Sequence, residues 1–330
     1  MRIAVDAMGG DHAPREIVAG AVQWVQQKEG SIILVGLTEQ LEQELANYDY
    51  DHDRITLTPA SQVIGMDESP AQALRRKKDA SIIVATKLVR EGKADAVLSC
   101  GSTGAQMAAA IFILGRLPGI ERPPVVTALP NAMGTKTVLI DVGANVDCRP
   151  RQLLQFGILG SLYASSVLNI TSPRVALINN GQEEGKGNQL SLEAYALLKD
   201  NRSLNFVGNI EGRDIFADQA DVVVCDGFVG NIILKTIEGM AIFIAQGVSR
   251  ELGTMPKFFA QLDYTKYGGA PLLGIDGISV VCHGSSNQEA VFNGICVAAD
   301  CVGKGILELQ KESLTALENA IPNQDDNQEG

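Results

Sequence analysis

The stretch that decides the fold occurs twice in this chain. Residues 94–105 read ADAVLSCGSTGA, and residues 220–231 read ADVVVCDGFVGN. Both fit the pattern A-D-x-V-x-x-x-G-x-x-G, in which a short apolar run leads into a glycine-rich turn. Such a turn at the end of a buried strand is typical of the strand-to-helix corners of α/β sheets. Twelve residues do not by themselves establish an internal duplication.

The same unit of strand, small-residue corner and amphipathic helix recurs along the chain. Apolar strands are predicted at 3–5, 96–98, 138–141, 175–178, 222–224 and 278–281, each followed by a corner and a helix. This alternation predicts a three-layer α/β/α sandwich around a mostly parallel mixed sheet. Because ligands collect at the carboxyl ends of parallel strands, we expect the six corners to face one crevice at one edge of the sheet. We expect residues 1–321 to form one domain from two intertwined halves.

Composition and charge exclude several classes of protein. The chain has 330 residues, of which 45% are hydrophobic, and a formal net charge of −12. Such an acidic protein is unsuited to neutralising phosphates, so no nucleic-acid partner is expected. The longest apolar stretches, such as 108–115, are too short to span a bilayer, and no signal peptide is expected before the first strand. Six cysteines without a C-x-x-C pair predict buried thiols in a reducing cytoplasm.

Two segments depart from the sandwich pattern. Residues 247–267 are predicted to form a protruding arm. Residues 255–262 within it, MPKFFAQL, are interpreted as burying their two phenylalanines against a second subunit or touching a membrane surface, with an ordinary core turn as the alternative. Residues 322–330 read PNQDDNQEG, which is polar and acidic. A segment without an apolar anchor cannot offset its ordering entropy, so this tail is predicted to be disordered.

Glycine-rich corners attract anions, because backbone N–H groups and the helix dipole point out of the helix N-terminus. The alternative is a tight turn that binds nothing. No G-x-G-x-x-G stands in the context of a dinucleotide site. Residues 181–187, GQEEGKG, resemble a phosphate-binding P-loop, but they are one residue short between the glycines and have no Ser or Thr after the lysine. A nucleotide P-loop is therefore rejected.

Single residues at strand ends are candidates for catalysis. Lys186 stands on the corner just described, as either a functional cation or a solvated surface lysine. His283 follows the strand at 278–281, as either a site residue or a structural histidine. The aspartates at strand ends could bind a metal, orient other groups or cap helices, and capping is the commonest of these roles, so no metal is proposed.

A cationic run stands out in this acidic chain. It consists of Arg75, Arg76, Lys77 and Lys78. Ser69 and Pro70 predict that a helix begins just before it. Charge runs are usually solvated faces. The alternative is a docking site for an acidic partner or a phosphate-bearing ligand.

Taken together, these motifs resemble a known family. The stretches are RIAVDAMGGDHAP, ALRRKKDAS, GSTGA, DVGANVDCRP, TSPRVALINNGQEEGKGN, ADVVVCDGFVGN, YGGAPLLG and CHGSS. In this order, from residue 2 to about 305, they resemble the bacterial phosphate acyltransferases of the PlsX type. Two departures are the corner Cys100-Gly101-Ser102, where alanine or serine, glycine and asparagine would be expected, and an arm at 247–267 that is shorter than is usual.

The resemblance implies transfer of an acyl group from acyl–acyl carrier protein to inorganic phosphate, which gives acyl phosphate for phospholipid synthesis. It also implies a fold like that of isocitrate dehydrogenases and phosphotransacetylases, and a homodimer. Apolar helices such as 153–162 and 232–245 suit a subunit interface. The resemblance further implies a cytoplasmic location with contact to the inner membrane surface or to a membrane acyltransferase. No cofactor is expected.

The site residues are assigned on the motifs and the resemblance together. Lys186, His283 and Asn231 are the predicted catalytic residues. The predicted substrate and phosphate ligands are Gly10, Asp11, Gly101, Ser102, Thr103, Gly104, Asp141, Asn145, Asp226, Gly227, Gly230 and Ser285. The run 75–78 is predicted to meet the acidic carrier protein. The remaining alternatives are a phosphotransacetylase-like enzyme that uses acyl-CoA, a metal- or NAD-dependent dehydrogenase, and a binding module without catalysis.

Overall fold

The computed structural model describes residues 1–253 and 268–320. The strands in these residues are β1 (Arg2–Asp6), β2 (Ser31–Gly36), β3 (Ile55–Pro59), β4 (Ala96–Ser99), β5 (Val126–Pro130), β6 (Lys136–Ile140), β7 (Arg174–Ile178), β8 (Asn205–Ile210), β9 (Val222–Val224), β10 (Ala270–Leu272) and β11 (Ser279–Val281). The helices are α1 (Arg15–Gln27), α2 (Thr38–Leu45), α3 (Pro70–Arg76), α4 (Ser81–Arg90), α5 (Thr103–Ala109), α6 (Pro150–Ser166), α7 (Gln189–Asp200), α8 (Gly227–Leu252), α9 (Gln288–Gly303) and α10 (Ile306–Ala320). A π-helical turn, Ala110–Leu114, continues α5.

The described strands form two sheets built on the same plan. The first sheet has the order β10-β11-β4-β1-β2-β3, and the second has the order β5-β6-β9-β7-β8. In each, an antiparallel edge strand, β10 or β5, precedes strands that pair in parallel. The two copies of the repeated motif are β4 and β9, which hold the same place in their sheets. The α/β class with mostly parallel strands is confirmed, although the strands divide between two sheets.

The aspartate of the repeated motif makes the same contact in both sheets. The carboxylate of Asp95, before β4, accepts a hydrogen bond from the backbone N–H of Arg2 at 2.6 Å. The carboxylate of Asp221, before β9, accepts one from the backbone N–H of Arg174 at 2.7 Å. Each aspartate therefore fixes the register of its strand against the parallel neighbour. Shared strand order and shared contacts together support an internal duplication.

The two sheets meet at their antiparallel edges. Val125, just before β5, pairs with Leu272 of β10 in an antiparallel bridge. The pairs β11–β10, β10–β5 and β5–β6 are each antiparallel. Three reversals leave β11 and β6 antiparallel to each other, so the parallel strands of the two sheets point in opposite directions. The expectation that all corners open at one edge is therefore wrong. Corners of the two sheets lie at opposite edges, with β10 and β5 between them.

The two apolar helices predicted for a subunit interface have different surroundings. In α6, Leu153, Phe156 and Leu159 are almost fully buried, and Gly160 lies so close to Val222 that a Cβ atom would come within 2.7 Å of it. Helix α6 therefore belongs to the core and offers no apolar face to a partner. Helix α8 is the opposite case, because most of its apolar surface is uncovered in the monomer.

Helix α8 also corrects the expectation about membrane-spanning segments. Its segment Gly227–Glu251 has a mean hydropathy of 1.6 and is long and apolar enough to cross a bilayer by length and composition alone. The sequence analysis did not predict this segment, because Lys235, Glu238 and several glycines interrupt its apolar run. Of the predicted arm, residues 247–253 are the end of α8 and the following glycine. Residues 254–267 and the predicted tail lie outside the described residues, and the division into domains stays a prediction.

Candidate active site

A cleft of about 450 Å³ crosses the junction of the two sheets. Five of the predicted site residues line it: Asp11, Gly101, Thr103, Asn231 and His283. With Gly143 added, these residues belong to the corners after β1, β4, β6, β9 and β11. Although the parallel strands of the two sheets point in opposite directions, corners of both sheets line this one cleft. Five of the six predicted corners are therefore brought together.

The corners of the first sheet are held by a buried carboxylate at the end of β1. Oδ2 of Asp6 accepts a hydrogen bond from the Ser99 hydroxyl at 2.7 Å, and the Ser99 oxygen accepts one from the N–H of Gly101 at 3.0 Å. Gly9 fits only because it lacks a side chain, since a Cβ atom there would lie 2.6 Å from Asp6. Burial raises the pKa of Asp6, and hydrogen bonds from side chains and backbone oppose this. The carboxylate thus fixes two corners at once.

The Gly101 corner leaves N–H groups for a ligand. The N–H of Gly101 is used by Ser99, and the Ser102 hydroxyl caps α5 by accepting from the N–H of Ala105 at 3.4 Å. The N–H groups of Ser102, Thr103 and Gly104 make no hydrogen bond to the other described residues. Three unpaired donors at a helix start that borders the cleft are suited to an oxyanion.

His283 is oriented by its own corner. Its Nδ1 accepts a hydrogen bond from the N–H of Ser285 at 3.2 Å and lies 2.7 Å from the Ser285 hydroxyl. Because Nδ1 accepts this hydrogen bond, the neutral imidazole carries its proton on Nε2. The carbonyl of Gly284 accepts from the N–H of Asp11 at 2.7 Å, which joins this corner to the one after β1. Gly10, with φ +106°, makes that close approach possible. Ser285, predicted as a ligand, thus serves to orient His283.

The corner of the second sheet is organised by Asp141, which is fully buried. Its two oxygens accept five hydrogen bonds, from the N–H groups of Val125, Gly143, Ala144 and Asn145 and from the Asn145 amide, at 2.7–3.2 Å. Burial raises the pKa of Asp141, and these donors work against the shift. The Asn145 amide also donates to the carbonyl of Pro123 at 3.0 Å. Asp141 and Asn145 therefore shape the loop, whereas the sequence predicted that they touch substrate.

The repeated corner after β9 differs from its counterpart after β4. The N–H of Gly227 donates to the carbonyl of Asn145 at 2.7 Å. The N–H groups of Val229 and Gly230 donate to the side chain and the carbonyl of Asp226, at 2.9 and 3.0 Å. Three N–H groups of this helix start are thus already paired. Gly227 and Gly230 therefore serve packing and do not offer their N–H groups to a ligand. The ligand role of Asp226 stays a prediction, because only one of its oxygens accepts a hydrogen bond from the described residues.

Asn231 is the residue through which this corner reaches the cleft. It lies one turn into α8, and a Cβ atom at Gly143 would be 3.6 Å from its side chain. Lys235 and Glu238 follow on the same helix face, line the cleft and form an ion pair at 2.8 Å. The sequence analysis missed these two. Their spacings of four and seven residues from Asn231 are the signal that could have identified them.

Lys186 is separated from the cleft. Its corner, the sixth, borders a second cavity of about 370 Å³ through Gly187, and Asp226 lines the same cavity. The Lys186 side chain is exposed, and its ammonium group makes no hydrogen bond or ion pair with the described residues. The structure thus leaves the lysine available but does not bring it next to His283.

The cationic run lies on the helix that packs against the Gly101 corner. Pro70, which starts α3, packs against the Gly101 corner, because a Cβ atom at Gly104 would lie 2.7 Å from it. Arg75 and Arg76 are exposed in the last turn of α3, and Lys78 is exposed just after it. Lys77 differs, since its ammonium group is paired with Glu68.

Solved structures with a similar fold include a phosphotransacetylase and a phosphotransacylase. A phosphotransacetylase from Streptococcus pyogenes matches with a TM-score of 0.65 at 19% identity, covering 92% of this chain and 94% of its own. A branched-chain phosphotransacylase from Enterococcus faecalis matches with a TM-score of 0.61 at 16% identity, and the match covers 92% of this chain and 99% of its own. At these identities the likeness shows the fold alone.

Sequence comparison gives the family. The family model described as fatty acid synthesis protein matches residues 1–309. A phosphate acyltransferase of Syntrophomonas wolfei is 63% identical over 96% of this chain and 99% of its own length. A phosphate acyltransferase of Desulforamulus reducens is 50% identical over 95% of this chain and 97% of its own length. The chain belongs to this fatty acid synthesis protein family, and the resemblance to phosphate acyltransferases of the PlsX type is confirmed.

Proposed function

We propose that this protein transfers a fatty acyl group from acyl–acyl carrier protein to inorganic phosphate and releases an acyl phosphate for phospholipid synthesis. Membership of the family supports an enzyme that transfers acyl groups. The observation that carries the proposal is the cleft, which joins three unpaired N–H groups of the Gly101 corner to His283 and Asn231. Such a site holds an anion beside a polarised carbonyl.

The reaction needs positioning more than it needs a strong base. A phosphate oxygen attacks the thioester carbonyl carbon, the new C–O bond forms, and the carbonyl electron pair moves to oxygen. Collapse of this oxyanion breaks the C–S bond and releases the thiolate. Phosphate is already anionic at neutral pH and a thiolate leaves readily, so preorganised donors lower the barrier.

The residues divide these tasks. The N–H groups of Ser102, Thr103 and Gly104 hold phosphate, and the Asn231 amide polarises the thioester carbonyl. His283 presents its Nε2–H as a hydrogen-bond donor to phosphate or to the leaving thiolate. Lys186 neutralises the developing charge when its glycine-rich corner moves toward Asn231.

Two cysteines near the Asp141 corner are poorly suited to a covalent intermediate. Burial raises the pKa of the Cys148 thiol to about 12, and Asp141 and Asp226 add to the shift. Burial also raises the pKa of Cys225. Both thiols therefore stay protonated at neutral pH and are poor nucleophiles. Direct attack by phosphate on the thioester needs neither thiol.

The donor is tested by following release of the free carrier from acyl–acyl carrier protein by mass spectrometry, with and without phosphate. The matching acyl-CoA is run beside it. Phosphate-dependent release from the carrier substrate, with little turnover of acyl-CoA, is the expected result. Preference for acyl-CoA would assign the protein to the phosphotransacetylase alternative, whose fold it shares.

The carrier is expected to dock on the exposed cations at the end of α3. Reversing charge in an Arg75→Glu/Arg76→Glu double variant should raise KM for the acyl carrier substrate by about tenfold at low salt and leave kcat nearly unchanged. Arg202→Glu, an exposed charge on the loop before β8, is the control and should leave KM unchanged. Equal KM values for the two variants would contradict docking at α3.

The uncovered face of α8 is proposed to form the homodimer. Phe243 on α8 is 71% exposed, and Phe112 on the π-helical turn is 73% exposed. Light scattering should give twice the chain mass for the wild type. Phe243→Asp should shift the protein toward monomer, because it puts a charge in an apolar interface, and Phe112→Asp should not. A monomeric wild type would refute the proposal, and co-sedimentation with anionic vesicles would assign α8 to the membrane instead.

The location follows from these partners. A carrier-dependent enzyme of lipid synthesis is proposed to work in the cytoplasm, with peripheral contact to the inner membrane surface or to a membrane acyltransferase that consumes the acyl phosphate. Fractionation of cells is the measurement that tests this.

A further inference from the structure

The donors assigned to phosphate so far carry no net charge. They are backbone N–H groups of the Gly101 corner, and Lys186, the predicted cation, does not line the cleft. Moving an anion out of water is costly unless a positive charge compensates for the lost hydration. Among the described residues that line the cleft there is one lysine and no arginine. That lysine is Lys235 on α8, and no task in the reaction has been given to it.

Lys235 lies on the face of α8 that borders the cleft. Asn231, Leu234 and Glu238 line the cleft as well, and spacings of three, four and seven residues from Asn231 put all four side chains on one helix face. The Cβ atoms of Asn231 and Lys235 are therefore about 5–6 Å apart. An amide and an ammonium group at this separation can contact one small anion together.

Glu238 holds Lys235 without using all of its donors. Oε2 of Glu238 lies 2.8 Å from Nζ of Lys235, and the side chains are 45% exposed for the lysine and 20% for the glutamate. Because water reaches this ion pair, its attraction is weak, and an incoming anion can take the place of the glutamate. The contact also uses only one of the three N–H groups of the ammonium. Lys235 is thus kept on the helix face and remains able to bind a ligand.

The charge of the cleft also depends on this lysine. Asp11 and Glu238 are the two carboxylates among the described residues that line it. Without Lys235, an entering phosphate would meet two like charges and no lysine or arginine to oppose them, which disfavours binding. The attacking phosphate and the oxyanion that forms at the thioester are both negative. A cation beside them therefore favours both binding and the transition state.

We propose that Lys235 is a catalytic residue, whose ammonium group binds inorganic phosphate in the cleft beside the N–H groups of the Gly101 corner. This inference rests on the proposed function and adds a residue to it. Lys186 is the competing cation, but its corner borders the second cavity through Gly187 and has to move toward Asn231. Lys235 already lines the cleft, so it needs no such movement.

The test removes the charge of Lys235 and keeps its unbranched stem. Binding of inorganic phosphate without acyl donor is measured by phosphorus NMR titration, and KM for phosphate and for acyl–acyl carrier protein by turnover at fixed ionic strength. Lys235→Met should raise Kd and KM for phosphate by more than about tenfold, because a charge-assisted hydrogen bond is lost. KM for the acyl carrier substrate should stay nearly unchanged. Lys235→Arg keeps the cation and should restore most of the phosphate affinity.

Lys93→Met is the matched control. Lys93 is exposed before β4, forms an ion pair with Glu91 at 2.7 Å and does not line the cleft. Its loss should leave phosphate binding and both KM values as in wild type.

Three results would overturn the proposal. They are unchanged phosphate binding in Lys235→Met, an equal loss in Lys235→Arg, and an effect on KM for the acyl carrier substrate alone, which would place the lysine at the donor. Circular dichroism checks that each variant is folded, as expected for changes at an exposed position. Failure of the proposed function looks different, because wild type would then bind phosphate through Lys235 and release no carrier from acyl–acyl carrier protein.

Discussion

Replacing Gly230 by alanine is expected to abolish turnover and to lower the free energy of unfolding by about 3 kcal/mol or more. A Cβ atom at Gly230 would lie 1.9 Å from the carbonyl oxygen of Asp141 and 2.8 Å from Sγ of Cys225. Neither neighbour is a flexible side-chain end that can swing away. The first turn of α8 must therefore move off the loop, and Asn231 moves with it.

Gly239→Ala is the matched control on the same helix. A Cβ atom there meets nothing within 4 Å. Alanine is the better helix former by about 0.5–1 kcal/mol, so this variant should keep its activity and gain slightly in stability. Chemical denaturation and turnover are measured on both. Wild-type stability and turnover in Gly230→Ala would show that α8 does not pack on the Asp141 loop as described.

Removing the Asp141 carboxylate is the second change with a large expected effect. Asp141→Ala leaves five buried donated hydrogen bonds without an acceptor. Unpaired buried donors of this kind should cost about 3 kcal/mol or more of unfolding free energy. The loop that holds Gly143 beside Asn231 then loses its shape, and a shift of about 1 Å at a site can cost about 100-fold in turnover.

Asp147 provides the control, because it is exposed in the same loop. Asp147→Ala should stay within about 0.5 kcal/mol of wild type and keep its turnover. Asp141→Asn keeps one acceptor oxygen and should fall between the alanine variant and wild type. Urea denaturation with turnover at fixed substrate separates the three. Equal stability of the Asp141 and Asp147 alanine variants would contradict the role given to the buried carboxylate.

Local sequence chemistry predicted the parallel strands and the residues at their ends. Runs such as those at 96–98 and 222–224 are apolar throughout because both faces of a parallel strand are covered. Glycine-rich corners after them follow from the sharp change of direction into a helix. The helix starts at Pro70 and Pro150 were also readable, since proline is favoured in the first turn.

The relative direction of the parallel strands in the two sheets was not predictable from these patterns. An apolar run has the same appearance whichever way its strand points. The reversal depends on β5 and β10, a short pair of strands whose bridge joins Val125 to Leu272. Neither strand was predicted, and β10 has only three residues. The two sets of corners were consequently expected at one edge.

The sequence also could not predict which backbone N–H groups of the two repeated corners are already hydrogen-bonded. The two repeated corners look alike as A-D-x-V-x-x-x-G-x-x-G, yet Asn145 and Asp226 occupy the donors of the second. Asn145 reaches Gly227 only through the loop that Asp141 organises. Long-range contacts of this kind leave no local signal. For the same reason Lys186 was expected at the cleft, whereas its corner borders a second cavity through Gly187.

The central claim is that phosphate itself takes the acyl group. The most direct measurement supplies ¹⁸O-labelled inorganic phosphate with acyl–acyl carrier protein and identifies the acyl product by mass spectrometry, with hydroxylamine trapping as a parallel check. The account predicts acyl phosphate that carries the label, formed in step with free carrier. Free fatty acid and free carrier without labelled acyl phosphate would mean hydrolysis rather than transfer, and would contradict it.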